Sequence, residues 1–487
     1  MTDSDLPITE RPPESYFESN SKEDLYASIQ KVYLADERPW VIGYSGGKDS
    51  TAAVQAVWNA VAALPIEDRR KTVYVISSDT YVETPVIVDH ITNNLDLMNA
   101  AAITQGLPFE AQKVSPKVED TFWVCLLGKG YPAPTTRFRW CTDRMKIRPA
   151  DNFIVDKVTK FGSVVVVLGA RRGESGTRDQ VLKAREIEGS VLRRHTSLAN
   201  AYVYSPVEYF SADDVWDYLH KVPSPWGADN AALIGMYRSA SKDGECPLVV
   251  DTSTPSCGNS RFGCWVCTVV ESDSSMEAIV ENGEEWMEPL LDFRDELATH
   301  KDPAKKFEIR QVKRRNGKVM TKEDGTPIPG PYKPEQRQRM LRSLLEMQKE
   351  VQENGPDPNE MLIRPEELLE IRRIWSSENA DWEDSVKNIY LDVYGDERPI
   401  AWGRADVTTL RAEDAALLKE HCQTDDVPWQ LVARLIDLER DMQGMTKRAN
   451  IFAKIDRIFK EDWLEEQRLQ KEFELEAAEG ELDNEVA

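Results

Sequence analysis

VIGYSGGKDSTAAVQAVW, residues Val41–Trp58, decides the fold. Val41–Tyr44 has the length and apolar character of a buried strand. From about Ser50 to Leu64 the chain is rich in Ala and Val on all sides, which predicts a buried helix. Ser-Gly-Gly-Lys-Asp-Ser joins the two. Adjacent glycines let successive N–H groups turn toward one anion, and the following helix adds its positive end. Lys48 adds a charge, and Ser45, Ser50 and Thr51 add hydroxyl donors. The common nucleotide loop, G-x-x-x-x-G-K-S/T, separates its glycines by four residues, whereas Gly46 and Gly47 are neighbours. The stretch therefore predicts a phosphate site of a different design, built from Ser45, Gly46, Gly47, Lys48, Asp49 and Ser50.

Outward from this loop, strands and helices alternate. A helix is expected over Lys22–Leu34 with Ser21 as its cap. Strands are expected at Thr72–Thr80, Phe109–Val114 and Val164–Arg172, and a long helix from about Thr84 to Ile103. Ser211 with two early acids predicts another helix start. This order implies an α/β fold with a doubly wound parallel sheet. Such sheets bind ligands beyond the carboxyl ends of their strands. That edge would gather Ser45–Lys48, Ser78–Thr80 and Gly169–Glu174 into one site. The expected domains are a disordered stretch 1–18, the α/β domain 19–240, a cysteine-rich region 241–275, a helical extension 276–460 and an acidic helix and tail 461–487. Within the extension, NGKVMTKEDGTPIPGPYKP reads as a hairpin and a Pro-rich loop.

The 487 residues are 41% hydrophobic and 30% charged, a soluble globular composition. The first residues have neither the basic start nor the apolar stretch of a signal peptide, and no apolar run approaches the roughly 18 residues of a membrane span. A cytoplasmic protein without a membrane partner is expected. The net charge of -24 excludes coating of nucleic acid by bulk charge. Charge is uneven, however: residues 137–194 hold 14 Lys/Arg against 7 Asp/Glu, and residues 301–342 hold 13 against 5. These stretches are either local polyanion paths or solvated faces. The five histidines are scattered and read as surface or core residues rather than catalytic ones.

Four of the seven cysteines, Cys246, Cys257, Cys264 and Cys267, follow C-x10-C-x6-C-x2-C. In a cytosolic protein such crowding favours a metal over disulfides. The spacing leaves an iron-sulfur cluster, a zinc ion or unliganded structural thiols open. Cys141 lies apart, among Arg137, Arg139, Arg144 and Lys146. Cationic neighbours favour a reactive thiolate; the alternative is a small buried residue. Cys125 and Cys422 read as structural.

The strand–SGGKDS–helix unit resembles the PP-loop of the ATP pyrophosphatase family, enzymes that split ATP between its α and β phosphates. SSDTYVETP (Ser77–Pro85), LGARRGESGTRD (Leu168–Asp179) and YSPVEYFSADDVWDYL resemble segments of its phosphosulfate reductase branch, over roughly residues 38–270. By that resemblance Asp79 meets the nucleotide or its Mg²⁺, and Gly169, Arg171, Arg172, Glu174 and Arg178 complete the ATP site. No cysteine follows Cys422, where the reductases carry a catalytic one, so simple sulfate reduction is not expected. The lone cysteine in Arg-Trp-Cys-Thr, the C-x10-C-x6-C-x2-C array and the helical extension are similar to the DndC family of bacterial DNA phosphorothioation. That likeness implies a 4Fe-4S cluster on the four cysteines and catalytic roles for Lys48, Asp49 and Cys141. It also implies DNA, a cysteine desulfurase and other Dnd-type subunits as partners. A PP-loop tRNA thiolase and a non-catalytic zinc- and ATP-binding scaffold are the alternatives.

Overall fold

A computed structural model of the chain describes residues 15–173, 183–239, 263–302, 305–379, 381–395, 398–403, 412–424, 427–442, 448, 450–466 and 468–469. The chain divides into two units. The first comprises Met1–Pro116, Thr142–Trp265 and Asp273–Glu285, and the second Lys117–Cys141, Val266–Ser272 and Trp286–Ala487.

The first unit is built on a six-stranded sheet: β1 (Trp40–Gly43), β2 (Val73–Ser78), β3 (Phe109–Val114), β4 (Val164–Val167), β5 (Arg193–Arg194) and β6 (Ala201–Tyr204). Their order is β3-β2-β1-β4-β6-β5. All neighbours are parallel except the antiparallel pair β5–β6. Strand alternation sorts the core. Trp40 and Ile42 of β1, with Val165 and Val167 of β4, pack on one face beside α2 (Lys22–Leu34), α3 (Lys48–Ala62) and α4 (Pro85–Gln105). Val41, Val164 and Val166 pack on the other against Ile154 of α5 (Arg148–Phe161). With helices on both faces, every β1 side chain from Trp40 to Ile42 is buried. The expected doubly wound α/β sheet is observed.

The helix starts follow local chemistry. Ser21 and Asp24 form a reciprocal capping box at α2. Ser211 and Asp214 do the same at α6 (Ala212–Lys221). Asp214 also accepts from Ser15 Oγ at 2.5 Å and from the Tyr16 N–H at 3.0 Å. That carboxylate anchors a short helix, α1 (Tyr16–Ser19), which corrects the expectation of disorder through residue 18; residues 1–14 lie outside the described residues.

Two further boundaries differ from the sequence reading. Residues 117–141 belong to the second unit because its indoles and one buried guanidinium satisfy their backbone. Trp375 Nε1 donates to the Leu127 carbonyl at 2.8 Å, and Arg337 Nη1 donates to that of Gly128 at 3.0 Å. Trp123 Nε1 donates in turn to Leu362 O at 2.6 Å. The cysteine-rich region is not a single block, since Cys264 falls in the first unit and Cys267 in the second. Arg294, 1% exposed, gathers the carbonyls of Cys267, Val270 and Glu271. Among the described residues no helix is long and apolar enough to cross a membrane.

Within the second unit, buried His300 sits 3.1 Å from Tyr332 Oη, which accepts from the Ala133 N–H. Burial, with Lys305 nearby, lowers its pKa from 6.5 to about 4. The unfolded chain binds this proton below about pH 6.5, whereas the folded chain does not until about pH 4. Stability therefore falls on acidification through that window, by up to about 3 kcal/mol from this group. Urea unfolding at pH 4.5 and pH 7 should show His300→Gln with a flatter pH dependence than the native chain.

Candidate nucleotide site

β2, β1 and β4 are adjacent and parallel, so the segments following them share one edge. That edge carries the Ser45–Ser50 loop, Asp79–Thr80 and Gly169–Arg172, and Gly169 and Arg171 meet the loop at Asp49. Gly46 has φ +74, the left-handed region that favours glycine. A Cβ there would meet Ile91 at 2.8 Å and the His90 ring at 3.3 Å. Gly47 caps α3 in an extended conformation. Its carbonyl accepts from Ser50 Oγ at 3.0 Å and Thr51 Oγ1 at 2.9 Å, while Ser50 Oγ accepts from the Ser45 N–H at 3.1 Å. The serines and threonine thus shape the loop itself.

Lys48 and Asp49 open α3. The Lys48 ammonium is 3.4 Å from Asp49 Oδ2, and Arg171 Nε donates to Asp49 Oδ1 at 2.5 Å. Asp49 is therefore shared between two cations. Arg171 and Arg172, both expected as anion contacts, face carboxylates. Arg172 Nε donates to Glu208 Oε1 at 2.6 Å, and Glu208 is also forked by Arg193 at 2.8 Å through each oxygen. Asp79 lies 3.5 Å from Lys113 Nζ and accepts from the Tyr81 N–H at 3.1 Å. Glu174 and Arg178 lie outside the described residues.

Six contacts were not visible in the sequence. Tyr237, on α7 (Asn230–Ser239), accepts the Lys48 N–H at 3.2 Å across 189 residues. Lys113 flanks Asp79 from the end of β3. His90 borders Gly46, and burial pulls its pKa down, which keeps the ring neutral at neutral pH. Thr80 Oγ1 lies 3.4 Å from Cys264 Sγ, and the Trp265 N–H donates to Val82 O at 2.9 Å. Beside them Glu83 accepts from the Thr80 N–H, and burial raises its pKa. Only the periodicity of α4 carried a hint, for it puts His90 within the helix that flanks the loop.

Cys264 and Cys267 are half-buried, while Cys246 and Cys257 lie outside the described residues. Among the described residues no group of three or more His, Cys, Asp or Glu is placed to hold a metal. The thiols at Cys264 and Cys267, one of them beside a buried hydroxyl, have the donor chemistry of an iron-sulfur or zinc site. Cys141 is half-buried and belongs to the second unit, whereas the loop belongs to the first. Cys125 and Cys422 are buried.

The surplus charge of residues 301–342 is largely used inside the second unit. Lys313 meets Glu461 and Glu466 at 3.4 and 2.9 Å, Lys318 meets Asp462 at 2.8 Å, and Arg315 meets Glu378 at 3.1 Å. Arg310 bonds two backbone carbonyls, and Arg337 is 2% exposed. Arg137, Arg139, Lys146 and Arg148 are exposed, and Arg148 pairs with Asp143 at 2.8 Å.

These features define a doubly wound α/β protein with a glycine-turn loop between β1 and α3. No protein-family model matches the chain. An uncharacterized protein of Methanocaldococcus jannaschii is 24% identical over 252 residues, covering 52% of this chain and 41% of that one. The chain thus spans less than half the length of the curated relative it matches. Among solved structures, it is similar to Candida glabrata FMN adenylyltransferase bound to FMN and the ATP analogue AMPCPP. That match has 9% identity and a TM-score of 0.26, over 43% of this chain and 59% of that one. It is also similar to the U34-tRNA thiolase NcsA from Methanococcus maripaludis with its 4Fe-4S cluster, at 10% identity and a TM-score of 0.26, over 50% and 84%.

The glycine that closes the site gives a direct test. A Cβ on Gly169 would lie 2.6 Å from the Asp49 carbonyl oxygen and 2.9 Å from Ser50 N, both backbone atoms. Gly169→Ala should destabilise the chain by about 1–3 kcal/mol through overpacking, read by urea unfolding.

Proposed function

We propose that the chain is an ATP-dependent sulfurtransferase of the PP-loop type that places sulfur in the DNA backbone, in the cytoplasm. The observation that carries this reading is that the SGGKDS loop, Asp79 and the Gly169–Arg172 segment follow the adjacent parallel strands β1, β2 and β4 at one edge of the sheet. Cys264 stands one residue beyond Asp79 through Thr80.

In this reading the loop N–H groups and Lys48 hold the pyrophosphate as it leaves ATP. Asp79 faces the Mg²⁺ that shields the phosphates. The adenylyl group passes to a non-bridging oxygen of a DNA phosphodiester, which turns that oxygen into a leaving group. A persulfide sulfur, carried on Cys141, attacks phosphorus and expels AMP, and a thiol reductant cleaves the sulfur–sulfur bond. Exposed Arg137, Arg139, Lys146 and Arg148 near Cys141 in sequence suit DNA phosphates, which makes binding salt-dependent. Cys246, Cys257, Cys264 and Cys267 would hold a 4Fe-4S cluster, which supplies thiophilic iron. A cysteine desulfurase would provide the sulfur, and other Dnd-type subunits would handle the DNA.

Mass spectrometry of nuclease-digested host DNA tests the proposal. Phosphorothioate dinucleotides should be present in wild-type cells and lost in the deletion strain, in Lys48→Ala and in Cys141→Ser. Unchanged DNA sulfur in the deletion would sink the reading. Loss of thiolated tRNA nucleosides instead would identify a tRNA thiolase.

A further inference from the structure

Tyr237 is the side chain outside the loop that engages Lys48 twice. Its hydroxyl oxygen accepts the Lys48 N–H at 3.2 Å, and the Lys48 ammonium stands 5.4 Å from the ring centroid. A Cβ on Gly47 would lie 3.2 Å from the same oxygen, so the phenol rests directly on the glycine turn. The ring is 6% exposed and packs edge-on against Trp216 at 5.0 Å. Its helix, α7, is fixed at the other end, where Asn230 Nδ2 donates to the carbonyls of Leu219 and Val222 at 2.8 and 3.1 Å. The phenol is thus placed by a buried and anchored element.

An N–H at the first turn of α3 has one hydrogen to give, and the phenol oxygen holds it. A phosphoryl oxygen seated on the loop needs that same donor. An anionic oxygen forms a stronger hydrogen bond than a neutral phenol does, so it wins the exchange, and the lost phenol contact subtracts from its affinity.

We propose that Tyr237 belongs to the anion site as an internal competitor: its hydroxyl occupies the phosphoryl-oxygen position at the Lys48 N–H and yields it when pyrophosphate or the phosphates of ATP bind. This rests on the reading of the loop as a phosphate site.

The test is calorimetric titration of the full chain with inorganic pyrophosphate and, separately, with ATP. Tyr237→Phe keeps the ring against Trp216 and removes only the competing oxygen. It should bind pyrophosphate about five-fold more tightly than the native chain, the worth of one net hydrogen bond. A purely structural hydroxyl would leave affinity unchanged or lower it, and either result overturns the proposal. Because Lys48→Ala keeps the backbone N–H, Tyr237→Phe should give the same gain in that background; absence of the gain there also overturns it. If the native chain and Tyr237→Phe both bind neither ligand, the phosphate-loop reading itself falls.

Discussion

The site depends on how closely the backbone after β4 approaches the first turn of α3. Gly169 lies against Asp49 and Ser50 with no room for a Cβ. β1 and β4 are direct neighbours, Ile42 opposite Val167, so the loop after one strand and the turn after the other are forced together. Two residues beyond the glycine, Arg171 reaches Asp49. Asp49 in turn meets Lys48. A carboxylate in the first turn of a helix is favoured by the helix dipole, and here it is also shared between two cations. The positive groups that would attract a phosphate are therefore held in place by an internal anion.

Much of this edge was legible because its signals are local. Ser21 and Ser211 announced their helices through capping chemistry within three residues. The hydrophobic runs placed α2 over Lys22–Leu34 and β3 over Phe109–Val114, as observed. What was not legible depends on distant partners. The allegiance of residues 117–141 to the second unit rests on contacts such as Trp123 to Leu362, 239 residues apart. α1 exists because Asp214 accepts from Ser15 and Tyr16. Tyr237 reaches the loop from a helix whose own sequence carries no phosphate-binding pattern.

Charge was the least transferable signal. A sequence shows where cations are but not which anions meet them. Arg171 and Arg172 read as ligand contacts, and both face carboxylates. The basic hairpin region read as a polyanion path or a solvated face; Lys305, Lys322 and Arg339 are exposed, whereas other cations there meet partners within the second unit. Lys313 is only 11% exposed, lies 3.2 Å from the Trp463 ring centroid and pairs with two glutamates. A lysine so enclosed holds the acidic segment 461–466 to the hairpin and is not displayed to a ligand.

The turn after β2 shows how one short segment serves two kinds of chemistry. Tyr81 has φ +61, uncommon for a residue with a large side chain. Its N–H is held by Asp79 Oδ1, and the Thr80 N–H is held by buried Glu83. This backbone directs consecutive side chains to different neighbours: Asp79 to Lys113, Thr80 to Cys264. The bridge between Glu83 and Cys264 fixes the second contact through the backbone as well. Asp79 and Cys264 are thus tied to one turn through bonds that share Thr80 and Glu83, so a shift of either residue strains the hydrogen bonds that place the other. Movement of the turn after β2 would therefore reach Asp79 and Cys264 together.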